Sequence, residues 1–193
     1  MKKLSIENII VKNIEETKKL FNEISVKEIN KIIDLVYYAY KKNKQIFIMG
    51  NGGSASTASH FACDLGKGTV VKNRPRLRVI SLNDNISLMT ALSNDCGYES
   101  VFTEQLKNLV NQNDIVIVFT ASGNSPNILN ATKYAKSKGA ITVGFIGFGG
   151  GKLKKLVDYN ITFSNNNYGQ VESIHSYLTH LVSQVFRKKI ENE

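Results

Sequence analysis

All three histidines of the chain, His60, His175 and His180, fall on just two expected helices. His60 and Asp64 are four residues apart, so on a helix their side chains share a face. Glu172 and His180 are eight apart, about 80° around a helix axis at 3.6 residues per turn. His175 and His180, five apart, diverge by roughly 140° by the same geometry and do not easily share a site. Together His60, Asp64, Glu172 and His180 form a nitrogen-and-oxygen set whose chemistry suits zinc, with iron or manganese also open. A carboxylate beside an imidazole equally suits proton transfer. Any one of these residues, taken singly, is explained as a polar group at a helix end facing water or another subunit. A carboxylate–imidazole pair on each of two helices favours a site.

Two loops supply anion-binding groups. Within Gln45 to Gly68, QIFIMGNGGSASTASHFACDLGKG, the run Ile46-Phe47-Ile48-Met49 has the pattern of a buried parallel strand. It breaks at Gly50-Asn51-Gly52-Gly53, where a backbone without Cβ atoms can turn sharply and present its N–H groups. Ser54 is the expected N-cap of a helix from Ala55 to about Leu65. Strand, glycine turn and helix N-terminus make an anion site, because several unpaired amides point at one spot. The second loop, Thr120-Ala121-Ser122-Gly123-Asn124-Ser125, offers hydroxyls at Thr120, Ser122 and Ser125 ahead of another helix. GNGGS lacks the G-x-G-x-x-G order of a dinucleotide fingerprint, and no GK[ST] follows to make a P-loop. A phosphosugar fits better than a nucleotide.

The elements that position these groups alternate. Residues 4–24 carry apolar positions at Ile6, Ile10, Ile14, Phe21 and Ile24, and 26–42 repeat the spacing through Ile29, Ile32, Ile33, Val36 and Tyr37, predicting two amphipathic helices. They either wrap the sheet or pack against another subunit. Strands are expected at 46–49, 77–81, 115–119, 141–146 and 159–163. Helices are expected at 84–93, 101–110, 127–138 and 168–190. A polar turn is expected at 94–97, and the last helix has an expected core stripe at Val171, Ile174, Leu178, Leu181 and Val185. The reading is a single α/β domain over 1–193, a doubly wound five-stranded parallel sheet flanked by helices, with residues 1–44 as an N-terminal helical pair. In such sheets ligands bind beyond the C-terminal strand ends, where the strand order reverses.

Length and composition bound the rest. At 193 residues one domain can bury a sizeable core, and 42% hydrophobic with 21% charged residues is ordinary for a soluble protein. No apolar run approaches the roughly 20 residues of a membrane span, and the N-terminus lacks a signal-peptide core, so the expected setting is cytoplasmic. Cys63 and Cys96 fit no zinc or CxxC spacing and read as reduced, buried thiols. The net charge of +9 comes from lysines and arginines spread over loops and helix ends, including Lys2-Lys3. It reads as solvated surface that mildly attracts phosphorylated substrates. No basic stripe with interleaved aromatics points to nucleic acid.

GNGGS, His60-Phe61-Ala62 with an acid at 64, Asn94-Asp95, the TASGNS loop and Glu172…His180 together resemble the sugar isomerase (SIS) domain proteins. Within them the match is to the phosphoheptose isomerase family, over about residues 1–190. The resemblance implies a flavodoxin-like fold, a homotetramer with active sites shared between subunits, one bound zinc per subunit and a phosphorylated sugar substrate. It also implies conversion of sedoheptulose 7-phosphate to D-glycero-D-manno-heptose 7-phosphate for bacterial surface glycans such as lipopolysaccharide or capsule. Asn51, Gly52, Gly53, Ser54, Asn94, Asp95, Thr120, Ala121, Ser122, Ser125 and Glu172 then contact substrate. His60, Asp64, Glu172 and His180 fall at metal positions, with Asp64 and His180 as catalytic base and acid. The chain departs from the family pattern at Asp64, usually Glu, at Glu172, usually Gln, and at Gly66-Lys67-Gly68, where the family has G-R-Y. The alternatives are an isomerase for a different phosphosugar, or a non-catalytic SIS protein that binds a sugar phosphate.

Overall fold

Ser5 and Ser25 open the first two helices by the same device. Ser5 Oγ accepts from Asn8 N at 3.2 Å to start α1 (Ile6–Asn22), and Ser25 Oγ accepts from Glu28 N at 3.3 Å to start α2 (Val26–Lys41). The computed structural model describes residues 5–193; Lys2, Lys3 and Leu4, where the first helix is expected to begin, lie outside the described residues. There follow β1 (Gln45–Met49), α3 (Gly53–Cys63) with a π-helical turn at Asp64–Gly68, β2 (Arg78–Ser81), α4 (Ile86–Cys96) and α5 (Val101–Leu109). Then come β3 (Ile115–Thr120), α6 (Pro126–Ser137), β4 (Ile141–Ile146), β5 (Tyr159–Thr162) and α7 (Tyr168–Glu191).

All strand pairs are parallel and the order is β2-β1-β3-β4-β5. The order reverses between β1 and β3, so the chain segments leaving these two strands flank the crevice where ligands of such sheets bind. Strand alternation divides the core. Ile46 and Ile48 of β1 with Ile115, Ile117 and Phe119 of β3 join the face covered by α2, α3 and α7. Phe47, Met49, Val116 and Val118 join the opposite face, under α5 and α6. The buried Asp114 carboxylate ties the strand starts, accepting from Gln45 N at 2.9 Å and Asn111 N at 2.8 Å.

Four expectations are corrected. Ser54 is not an N-cap: the helix begins at Gly53, two residues earlier than expected, capped by Gly52 at φ +56° without a side-chain bond, and Ser54 is buried in its first turn. Asn94 and Asp95 lie in the last turn of α4, not in a turn after it. Cys63 and Cys96 are free thiols but exposed. The stripe of α7 runs through Val171, Ile174, Leu178, Val182, Phe186 and Ile190, with Val185 turned outward. Residues 171, 178 and 185 follow a strict seven-residue repeat, from which a straight α-helix drifts by about 20° per heptad. Over 24 residues the buried seam therefore moves to 182 and 186.

His175 sits in the core, 1% exposed, with neither ring nitrogen partnered among the described residues. The rings of Phe119, Phe145 and Phe163 lie 5.9, 6.3 and 6.1 Å from its own. Burial alone pushes its pKa down from 6.5 to about 3, because no partner compensates a buried imidazolium. The unfolded chain takes up this proton near 6.5 and the folded chain does not until about 3. The stability at stake is therefore fully present above pH 6.5 and is lost as pH falls through the window below it, at about 1.4 kcal/mol per pH unit. His175→Phe is expected to flatten this part of the acid dependence, read as the difference in urea-unfolding free energy between pH 7.5 and pH 5 for the two proteins.

Candidate active site

β1 delivers the backbone into its loop at Gly50, where a Cβ would collide with the Ser54 carbonyl. The Asn83 side chain then clamps Gly50 as a neighbouring strand would, accepting from Gly50 N at 3.1 Å and donating to Gly50 O at 2.9 Å. The free amides at the start of α3 are thus held at the sheet's C-terminal edge. Gly53 packs directly under the Glu172 carboxylate of α7, which a Cβ there would push aside.

The loop after β3 is fixed backbone to backbone. Gly123, at φ +64°, turns where a Cβ would run into the Gly150 carbonyl, and Leu153 N donates to Gly123 O at 3.0 Å. A Cβ on Gly147 would come within 2.9 Å of Ala121 O, and one on Gly151 would strike Ser122 O. Thr120 Oγ1 accepts from Gly123 N at 3.2 Å and Ser122 Oγ from Asn124 N at 3.3 Å. Ser125 precedes α6 without a side-chain capping bond, leaving its hydroxyl for a ligand. Both loops line one cavity of about 340 Å³, with Asn51, Gly52, Gly53 and Ser54 on one side, Thr120, Ala121, Ser122 and Ser125 on the other, and Tyr168 and Glu172 contributed by α7. A wider groove of about 790 Å³ between α3, β2 and α4 is shallow and includes neither loop. Converging amides and hydroxyls, not volume, mark the smaller cavity as the anion site.

A second centre lies further along α3 and α7. His180 Nδ1 is 3.2 Å from Asp64 Oδ2, His60 Nε2 is 3.6 Å from Asp64 Oδ1, and the imidazoles meet edge to face at 4.8 Å. One ligand atom from each residue falls within 4.8 Å of the others. Asp64 Oδ2 is buried without a hydrogen-bond partner among the described residues, since His180 Nδ1 approaches it off the hydrogen-bond direction. A buried carboxylate oxygen between two imidazoles suits a divalent cation, and three protein ligands with an open position are the pattern of a catalytic rather than a structural site. Asp64 opens the π-helical turn, a distortion concentrated at functional sites. Its end is secured by Thr69 Oγ1 donating to Leu65 O at 2.6 Å and by Arg187 donating to Gly68 O at 3.3 Å.

Of the residues singled out in the sequence, His60, Asp64 and His180 come together, while Glu172 stands at the anion cavity. Asn94 and Asp95 line neither and bond to each other, Asn94 Nδ2 to Asp95 Oδ1 at 2.8 Å. Tyr168, Asn83 and the glycines at 147, 150 and 151 carry no expected role in the sequence, and nothing in Tyr168 or Asn83 signals one before the strands are ordered.

A fold of this topology with a two-loop anion cavity defines a phosphosugar-binding SIS domain, and the SIS domain model matches residues 11–147. The chain is 36% identical over 180 residues to a phosphoheptose isomerase of Campylobacter jejuni, covering 92% of this chain and 96% of that protein. It is 34% identical over 186 residues to one of Sulfurimonas denitrificans, covering 96% and 95%. The structure of a phosphoheptose isomerase from Francisella tularensis superposes with a TM-score of 0.88 at 24% identity, covering 96% of this chain and 100% of that one, a likeness of fold. The chain belongs to the phosphoheptose isomerase family of SIS domain proteins.

Gly123→Ala is expected to lower the thermal midpoint and abolish saturable binding of inorganic phosphate, since both the positive φ and the Gly150 carbonyl oppose a side chain. Calorimetry on the folded variant reads the second effect separately from the first.

Proposed function

We propose that this phosphosugar isomerase interconverts sedoheptulose 7-phosphate and D-glycero-D-manno-heptose 7-phosphate. The observation that carries the reading is the Asp64–His180 pair, 3.2 Å apart, in a chain whose loops offer an anion cavity. The loop amides and the Thr120, Ser122 and Ser125 hydroxyls hold the phosphate oxygens. Asp64 takes a proton from C1 of the ketose, giving a cis-enediol(ate). Return of a proton to C2 and loss of the O1 proton give the aldose. His180 Nδ1 lies 3.2 Å from Asp64 Oδ2, out of hydrogen-bond alignment, and Nε2 is the nitrogen assigned to protonate the C2 oxygen.

His60, Asp64 and His180 would hold a zinc ion, which supplies Lewis acidity toward the carbonyl oxygen when bound. A carboxylate engaged by a cation is a weaker base, so ligand and base are competing roles for Asp64. Asp64→Asn is expected to cut turnover about 10²- to 10⁴-fold, the range for a positioned general base. Incubation with sedoheptulose 7-phosphate, with and without zinc, followed by NMR for the heptose product, checks it; unchanged turnover would remove Asp64 from the chemistry. The Glu172 carboxylate in the cavity wall favours one second reading, an isomerase for another phosphosugar, and a panel of ketose phosphates of different carbon number separates the two.

The assembly we infer is a homo-oligomer, a tetramer, in which subunits share sites. Support comes from α1, where Ile6, Ile9, Ile10, Val11 and Ile14 are 48 to 76% exposed and Leu20 alone is buried. Gly53 and Asp64 are also eleven residues apart on nearly continuous helix, about 16 Å at 1.5 Å per residue, so a neighbouring subunit can bring its cluster to the cavity. Ile10→Glu is expected to shift the sedimentation coefficient toward that of a monomer. A cytoplasmic setting belongs to the same proposal; no helix among the described residues is long and apolar enough to cross a membrane.

A further inference from the structure

We propose that Asn127 and Tyr98 are positioning residues for the phosphosugar cavity, acting together through Asn51; the ligand class rests on the functional reading above. Asn51 leaves β1 and Asn127 stands in the first turn of α6, 76 residues away, on opposite sides of the crevice where the strand order reverses. Their side-chain amides pair reciprocally. Asn51 Nδ2 donates to Asn127 Oδ1 at 2.9 Å, and Asn127 Nδ2 donates to Asn51 Oδ1 at 2.9 Å. Tyr98, in the turn after α4, donates its hydroxyl to the same Asn51 Oδ1 at 2.9 Å. The backbone N–H of Ile128 donates to Asn127 Oδ1 at 2.9 Å.

That backbone donor decides the arrangement. A side-chain amide can be turned over, but a main-chain N–H remains a donor. Ile128 therefore fixes Asn127 Oδ1 on its own side, which directs Asn127 Nδ2 at Asn51 Oδ1. Tyr98 and Asn127 then use both lone-pair directions of that oxygen. Asn51 has no acceptor left to offer the cavity; what it can present is its second N–H, unpaired among the described residues. Asn127 is 2% exposed, so its own amide bonds inside the protein rather than to a ligand. The three side chains thus convert an ambivalent asparagine into a donor aimed at phosphate or sugar oxygens. They also join the two cavity loops by side-chain bonds that neither loop makes alone.

Asn127→Asp keeps the shape and inverts this logic. The carboxylate it introduces would still accept from Ile128 N and from Asn51 Nδ2, but its other oxygen would face Asn51 Oδ1, lone pair against lone pair, and the pairing that aims the Asn51 amide would be broken. The expected result is a KM for sedoheptulose 7-phosphate, and a Kd for inorganic phosphate, raised about tenfold or more, with kcat within about threefold because the reacting groups are untouched. Tyr98→Phe removes one hydroxyl from a side chain that is 52% exposed and is expected to raise both constants about two- to fivefold. A merely structural role would lower the thermal midpoint and leave KM of the folded protein unchanged. If Asn127→Asp fails to fold, Tyr98→Phe carries the test. Wild-type KM and phosphate affinity in the variants would overturn the proposal, as would a fall in kcat alone. Phosphate binding keeps the two readings apart. A wild type that turns over no phosphosugar, with phosphate binding weakened in the variants, overturns the isomerase and retains the positioning role; a wild type that binds no phosphate overturns the positioning role itself.

Discussion

The site depends on two helices lying side by side in the same direction. α3 leaves β1 and α7 follows β5, both from the C-terminal edge of the sheet, and they bury Phe61 and Leu65 with Ile174 and Leu178 in one core. That apolar seam sets the spacing of everything polar along it. At one end Glu172 comes down on Gly53; at the other His180 meets Asp64. A bulkier seam residue would separate both pairs at once, so the packing of four hydrocarbon side chains governs an anion cavity and a carboxylate–imidazole cluster together.

The same helix shows how burial assigns roles to chemically identical groups. His175 and His180 are five residues apart on α7, which turns them to different faces. His175 enters an aromatic core and is held neutral well below physiological pH, whereas His180 stays 45% exposed with a carboxylate beside it. The cavity carries an electrostatic tension as well. Helix-end amides that favour an anion face the carboxylate of Glu172, itself an anion, across a cavity whose other side is the hydroxyl-rich loop.

Much of the fold was legible because each strand is a short apolar run and each long helix repeats at 3.6 residues. The five strands and the order of elements follow from such local patterns, whereas the packing of α3 beside α7, which brings His180 to His60 and Asp64 and leaves Glu172 at the cavity, does not. The start of α3 was misread because a serine after glycines looks like a cap, whereas Gly52 reaches a positive φ that lets the helix begin at Gly53. Cys63 and Cys96 read as buried because cysteine usually is; which face of α3 and α4 meets the sheet is decided by packing, and both thiols fall outside it. The partners of Asn51 and Gly50 could not be read at all. Asn127, Tyr98 and Asn83 reach them across 76, 47 and 33 residues, and such pairings exist only once the strand order is known.

The contact of Gly123 with the Gly150 carbonyl, main chain on main chain, has a consequence for how the cavity meets a ligand. A loop seated that way on its neighbour has little freedom left to lose when a ligand arrives, and little to regain when one leaves. The groups this loop turns toward the cavity are therefore in place in the folded chain before a ligand comes, and its side of the cavity needs no flap-like closure to assemble them.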